Sequence, residues 1–399
     1  MATIAIQEPV AAQRPAGAVM FSAGFRPFFL LAAVWSAFAL PLWLCVYAGK
    51  IALPSALPPT VWHVHEMVFG FAFATVAGFL LTAIPNWTGR LPLRALPLAA
   101  LAGLWVAGRI AVLLSGATGP AAAAVVDLAF PVAFVAVIAR ELIAGRNWRN
   151  LPMLIALSLL LGGSALVHLE SLGLATTALA GNRLGIATIL LLIALVGGRI
   201  VPSFTRNWLA KARPGGALPA EAGRLDIAAL LVTVAGLAAW VVVPDSAVAP
   251  WLELAAGIAV ATRLSRWCGL ATFREPLVFI LHIGYGWLAL GLLLLGYNGL
   301  HPLLPQTTAL HALTVGAIGT MTLAVMTRAT LGHSGRALAA GPGTRAIYLL
   351  VTLAALLRLA APLAGADALT LTWIAGAAWS AAFGLFAVLY GGLLMRARN

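Results

Sequence analysis

The chain has 399 residues, 62% of them hydrophobic and only 9% charged, yet it carries a formal net charge of +13. Apolar stretches long enough to cross a bilayer recur from Phe28 to Leu394, which excludes a soluble globular domain and makes the chain an integral membrane protein. The basic excess does not signal nucleic acid, because no stripe of lysine and arginine interleaved with aromatics occurs.

Residues 1–25 are too polar to be a secretory h-region and read as a cytoplasmic tail. The first apolar run, Phe28 to Val46, is longer than such a region and lacks a following small-residue cleavage site, so it reads as a retained first helix. A span needs about 20 apolar residues. Polar and Gly/Pro breaks then predict twelve, at 27–48, 62–84, 93–115, 120–140, 150–170, 183–203, 226–243, 247–266, 276–296, 306–328, 345–364 and 369–394. In lipid the backbone must satisfy its own polar groups, so the expectation is an all-α polytopic bundle, a single transmembrane domain over 1–399. With the N-terminus inside, the tail, the even-numbered connections and the C-terminus hold twenty of the 24 basic residues. The positive-inside rule thus accounts for the charge and places both termini in the cytoplasm. Cys45 and Cys268 fall toward opposite ends of the bundle, so neither a disulfide nor a thiolate metal site is expected.

Gly24-Phe25-Arg26-Pro27 ahead of the first span has an echo in Thr272-Phe273-Arg274-Glu275-Pro276 ahead of the ninth. Counting 37 residues on from Arg26 reaches His63, and 37 on from Arg274 reaches His311. Arg109 follows Arg26 by 83 residues and Arg358 follows Arg274 by 84. The second and tenth spans both finish in a Ser/Thr-Gly-Arg turn, Thr88-Gly89-Arg90 and Ser334-Gly335-Arg336. The register predicts three four-helix pseudo-repeats, approximately 26–145, 146–270 and 271–399, the middle copy lacking the histidine.

The second span opens on Trp62-His63-Val64-His65-Glu66. Ionisable groups cost free energy in hydrocarbon and persist where they bind, pair or line a wet cavity. His63 and His311 are expected at similar depth near the outer surface, where corresponding positions of two related units can face each other. Haem iron with two axial imidazoles, as in a haem b, suits that geometry. His63 and His65 point about 200° apart around the helix axis, so one of them, His63 first and His65 as the alternative, would pair with His311. The other would hold a second haem or another metal. Glu66 could orient an imidazole, ligate a non-haem metal, or carry protons as a catalytic group. Contact with lipid headgroups is the plainer role for these span-terminus histidines; His168, closing the fifth span, is the next metal ligand, with capping or interfacial packing as its plainer role. His301 reads as a loop residue and His282 as a packed, hydrogen-bonded one.

Arg109, Arg183 and Arg358 lie where the charge rule disfavours them, and haem propionates need such partners. An ion pair with Asp127, about as far from the turn joining the third and fourth spans, is the equal alternative for Arg109. Asp367 is the alternative mate of Arg358. Thr320, Thr322 and Thr327 on the tenth span could carry protons through water, although buried threonines mostly bond their own helix. No P-loop, Rossmann glycine run, Ser/His/Asp set or zinc signature occurs.

The stretches GFRPFFL at 24–30, WHVHEMVFGF at 62–71, GGRIVPSFTRNW at 197–208 and HALTVGAIGTMTLAVMTRATLGH at 311–333 resemble the NnrS family of nitric-oxide-response membrane proteins, over nearly the whole chain. The resemblance implies a polytopic protein of the bacterial inner (cytoplasmic) membrane that contains haem and copper and relieves nitrosative stress. The arrangement is also similar to the catalytic subunit of haem-copper oxidases and nitric oxide reductases, with twelve helices in three groups of four and haem histidines near the outer ends of helices 2 and 10. That family carries its HxH pair on helix 10 and copper histidines on helices 6 and 7, which this sequence lacks, so the likeness is architectural. The expectation is a haem oxidoreductase that reduces nitric oxide to nitrous oxide, with quinol or a cytochrome c as electron donor. A non-enzymatic haem sensor or sink for nitric oxide, and a transporter of a metal or nitrosyl complex, are the alternatives.

Overall fold

The computed structural model describes residues 19–396, so the expected tail lies outside the described residues as far as residue 18. Twelve helical segments occupy the twelve predicted spans: α1 Phe25–Tyr47, α2 Pro59–Thr88, α3 Leu96–Leu113, α4 Pro120–Ala144, α5 Trp148–Ser171, α6 Ala178–Ala212, α7 Arg224–Val242, α8 Ala249–Ser265, α9 Pro276–Leu300, α10 Gln306–His333, α11 Pro342–Leu363 and α12 Gly365–Met395. No strand occurs among the described residues, and the protein is an all-α multi-pass membrane protein. All but α8 are long and apolar enough to cross a membrane. With 17 residues, α8 is about 25 Å long at 1.5 Å per residue.

Local chemistry sets the helix ends. Proline opens α2, α4, α9 and α11 at Pro59, Pro120, Pro276 and Pro342, where the missing N–H costs nothing and φ is already helical. Gly89 closes α2 at φ +69°, a left-handed conformation that a side chain would strain.

Consecutive helices pack as neighbours, and α12 returns against α1, so the chain closes on itself. Two side chains fasten the closure. Arg26, at the start of α1, donates to the carbonyls of Leu393, Leu394 and Arg396 at 2.8–3.0 Å, satisfying orphan acceptors at the end of α12. Trp379 Nε1 donates to Ser36 Oγ at 2.9 Å. Inside, α2 touches α6 and α6 touches α10, while Thr75 Oγ1 lies 3.7 Å from Met326 Sδ and joins α2 to α10.

The same three helices share a second property. Each contains a π-helical segment: Glu66–Ala72 in α2, Ile193–Gly197 in α6 and Ala312–Gly319 in α10. A π turn widens the helix and mispairs backbone groups, so it needs outside support. In α6 that support is explicit: Arg263 of α8, held by Asp226 Oδ1 at 2.8 Å, donates to the Ala194 carbonyl at 2.8 Å and to Tyr285 Oη at 3.0 Å. In α2 the Gly70 carbonyl accepts from Trp105 Nε1 at 3.1 Å. The π segments of α2 and α10 begin immediately after the histidines, at Glu66 and Ala312.

Candidate metal centres at the ends of α2 and α10

His63 and His65 sit in the first turns of α2 and face different neighbours. The His63 ring stacks on Trp43 of α1, with centroids 4.1 Å apart and planes 23° from parallel, which fixes its plane and leaves its edge free. Neither of its nitrogens has a hydrogen-bond partner among the described residues. His311 and Arg358 both lie within electrostatic reach of it. His311 Nδ1 is 2.5 Å from the Thr307 carbonyl. Since a carbonyl only accepts, Nδ1 donates, and the Nε2 lone pair is left for a ligand. Arg358 makes no ion pair among the described residues, with Asp367 or any other carboxylate, and so keeps its guanidinium available. Two imidazoles, one held in the ligating tautomer, beside an uncommitted arginine fit a haem with two axial histidines and a propionate partner.

His65 turns the other way, into a fully buried network. Its Nδ1 lies 3.1 Å from Glu66 Oε1, and its Nε2 lies 3.3 Å from Asp127 Oδ2 on α4. His168 of α5 brings its Nε2 to the same oxygen at 2.9 Å, and Ser164 Oγ donates to it at 3.3 Å. Arg109 of α3 donates from Nη1 to both oxygens of Glu66 at 2.8 Å and from Nη2 to Asp127 Oδ1. Two glycines make the crowding feasible. A Cβ on Gly70 would come within 2.9 Å of Arg109 Nη1, and one on Gly108 within 2.8 Å of Asp127 Oδ1.

With both imidazoles neutral, this group sets two carboxylates against one guanidinium, a net charge of −1 inside the membrane. A buried uncompensated charge is costly, so the arrangement calls for one more positive charge. The ligand atoms of His65, Asp127 and His168 lie within 4.8 Å of one another, so a cation among them would supply it. Two imidazole nitrogens and one carboxylate form a donor set suited to divalent transition metals. Glu66 behind His65 is the carboxylate that orients a ligating histidine.

The structure therefore separates the sequence-predicted residues into two groups. His63, His311 and Arg358 lie within electrostatic reach of one another, while His65, Glu66, Arg109 and His168 join Asp127 in one hydrogen-bonded network. For Arg109 the propionate role gives way to ion pairing, because its fork is spent on Glu66 and Asp127. Arg183 lies elsewhere, its guanidinium 6.0 Å from the Trp240 ring and within reach of Glu253, so a role at either histidine group is not supported. His282 bonds Thr205 Oγ1 at 2.8 Å, and His301 lies exposed beside Tyr297, as expected of both. Sequence reasoning missed Asp127 as a ligand and Ser164 altogether. A signal existed for the first: Asp127 and His168 stand at similar distances on either side of the turn joining α4 to α5.

No curated protein matches the sequence significantly. The profile of the family described as NnrS protein matches residues 19–398, and the chain is a member of that family.

Proposed function

We propose that this protein binds nitric oxide at a metal centre near the histidine-bearing face of the membrane and reduces it to nitrous oxide. Family membership is consistent with a nitric oxide response role, and one observation supports the finer reading: His63 lies within electrostatic reach of His311 and Arg358, while His65 lies against Asp127 and His168. His63 and His311 would hold a haem b with Arg358 on a propionate. His65, Asp127 and His168 would hold a second metal, copper or another transition ion, where nitric oxide enters. Haem, when bound, supplies a one-electron iron centre.

The chain's own residues account for the rest. Trp43 orients the His63 ring and the Thr307 carbonyl the His311 ring, the two imidazoles that would hold the haem. Glu66 takes the orienting role at His65 Nδ1, and Arg109 pairs with both carboxylates and holds them in place. The overall change, two nitric oxide molecules plus two electrons and two protons giving nitrous oxide and water, needs a donor, which we assign to quinol or a cytochrome c. Multi-pass topology and the arginine distribution support a home in a bacterial inner membrane.

The test is anaerobic consumption of nitric oxide by the purified protein with a chemical reductant, with nitrous oxide measured. Continuous turnover is expected. Uptake that stops at one or two equivalents would make the protein a sink or sensor, and a preparation that stays colourless with haem supplied would remove the haem centre. In His311→Ala, loss of the six-coordinate haem spectrum from a folded protein is expected.

A further inference from the structure

We infer that an apolar cavity lined by α2, α5, α6 and α10, and open toward the edge of the bundle, is a holding site for a small uncharged gas. The cavity has a volume of about 80 Å³, several times what one water-sized molecule occupies. On α2 its lining begins at Ala72, seven residues past His65, or about 10 Å farther along the axis. On α10 it begins at Met321, ten residues past His311, or about 15 Å along. The cavity thus lies on α2 and α10 farther along than their histidines, and against the π segment of α6.

Its chemistry decides its occupant. Of its fifteen lining residues only Thr75 and Thr322 carry a hydroxyl. Both hydroxyls are already spent within their own helices, Thr75 Oγ1 on the Phe71 carbonyl at 3.3 Å and Thr322 Oγ1 on the Gly319 carbonyl at 2.9 Å. A buried water needs two to four polar partners, and apolar cavities without them stay dry and accept guests such as xenon. A diatomic or triatomic gas fits and loses no hydrogen bonds on entry.

The cavity exists because large side chains stop short of one another. Gly197, at the end of the α6 π segment, lines the wall where a Cβ would meet Met321 at 3.2 Å. Val196, Ile200 and Phe79 are only half-buried, so the cavity reaches the edge of the bundle there and a gas dissolved in hydrocarbon has a way in. That the gas is nitric oxide rests on the function proposed above; the occupancy of the cavity does not.

Crystals of the full-length protein pressurised with xenon test the inference. One anomalous peak is expected between α2, α6 and α10, and it should vanish in Val196→Phe, with Ile193→Phe as a second filling variant. If turnover is present, the filled variants should lose rate at low nitric oxide and keep it at saturation. No xenon peak in the unsubstituted protein, or ordered water or an acyl chain in its place, overturns the inference even if nitric oxide turnover is found. A xenon peak without turnover keeps it and removes only the identity of the gas.

Discussion

Asp127 carries more of this molecule than any other single residue, since four side chains converge on its two oxygens. Asp127→Asn keeps the shape but removes the anionic donor and the charge that answers Arg109. The expected result is loss of the second metal, read by elemental analysis, with the haem spectrum of the His63/His311 site retained. Loss of both signals would mean that the two groups are not independent centres. Arg109 behaves differently. Arg109→Met leaves Glu66 and Asp127 buried and unpaired, and breaking a buried pair costs about 3–5 kcal/mol. A sharp drop in the temperature at which detergent-solubilised protein aggregates is expected, and survival at wild-type temperatures would show that some other charge balances the pair. Arg109→Lys restores the charge without the two-pronged fork, so it should recover only part of the loss.

At the scale of elements, the π segments position the histidines. Each accommodates extra chain without lengthening the helix, so the turns before it are rotated relative to the turns after it. Inserting one residue after Met67, where the α2 π segment already holds its extra chain, would turn the His63–His65 stretch by about 100° and push it out by about 1.5 Å relative to the rest of α2. Protein that still inserts but has lost both metal signals is the expected outcome; unchanged haem and metal content would deny the segments this role. The π segments recur in the second, sixth and tenth helices, four helices apart. The 37-residue spacing to each histidine was legible because chain counting survives divergence. The π segments were not, because α2, α6 and α10 are apolar on nearly every side and offer no periodicity whose slip could be noticed. For the same reason the helical wheel told that His63 and His65 diverge but not which one meets His311. In the structure His63 stacks on Trp43, and His65 lies against Asp127 and His168. The Arg109 pairing was visible in the turn arithmetic, whereas the bond to Glu66 depends on Gly70, whose missing side chain carries no signal of what fills its place.

For the whole molecule, the open count is α8. Its 17 residues fall a few ångströms short of a hydrocarbon core about 30 Å thick, and a helix lying along the surface would leave eleven crossings. The histidines decide otherwise. His63 and His311 stand at the starts of α2 and α10, and the structure brings them within electrostatic reach. Between those two starts the chain runs through α2 to α9. Eight crossings return it to the same face; seven would put the two imidazoles on opposite sides of the membrane. The bundle therefore requires α8 to cross, tilted little and with the bilayer thinned to match it. Asp245 and Leu270, both exposed, flank α8 at its two ends. With Cys45 and Cys268 replaced by serine, Asp245→Cys should react with a membrane-impermeant maleimide in intact cells, and Leu270→Cys only after the membrane is opened. If both positions label from the same side, α8 does not cross, His63 and His311 are parted by the bilayer, and the shared haem goes with them.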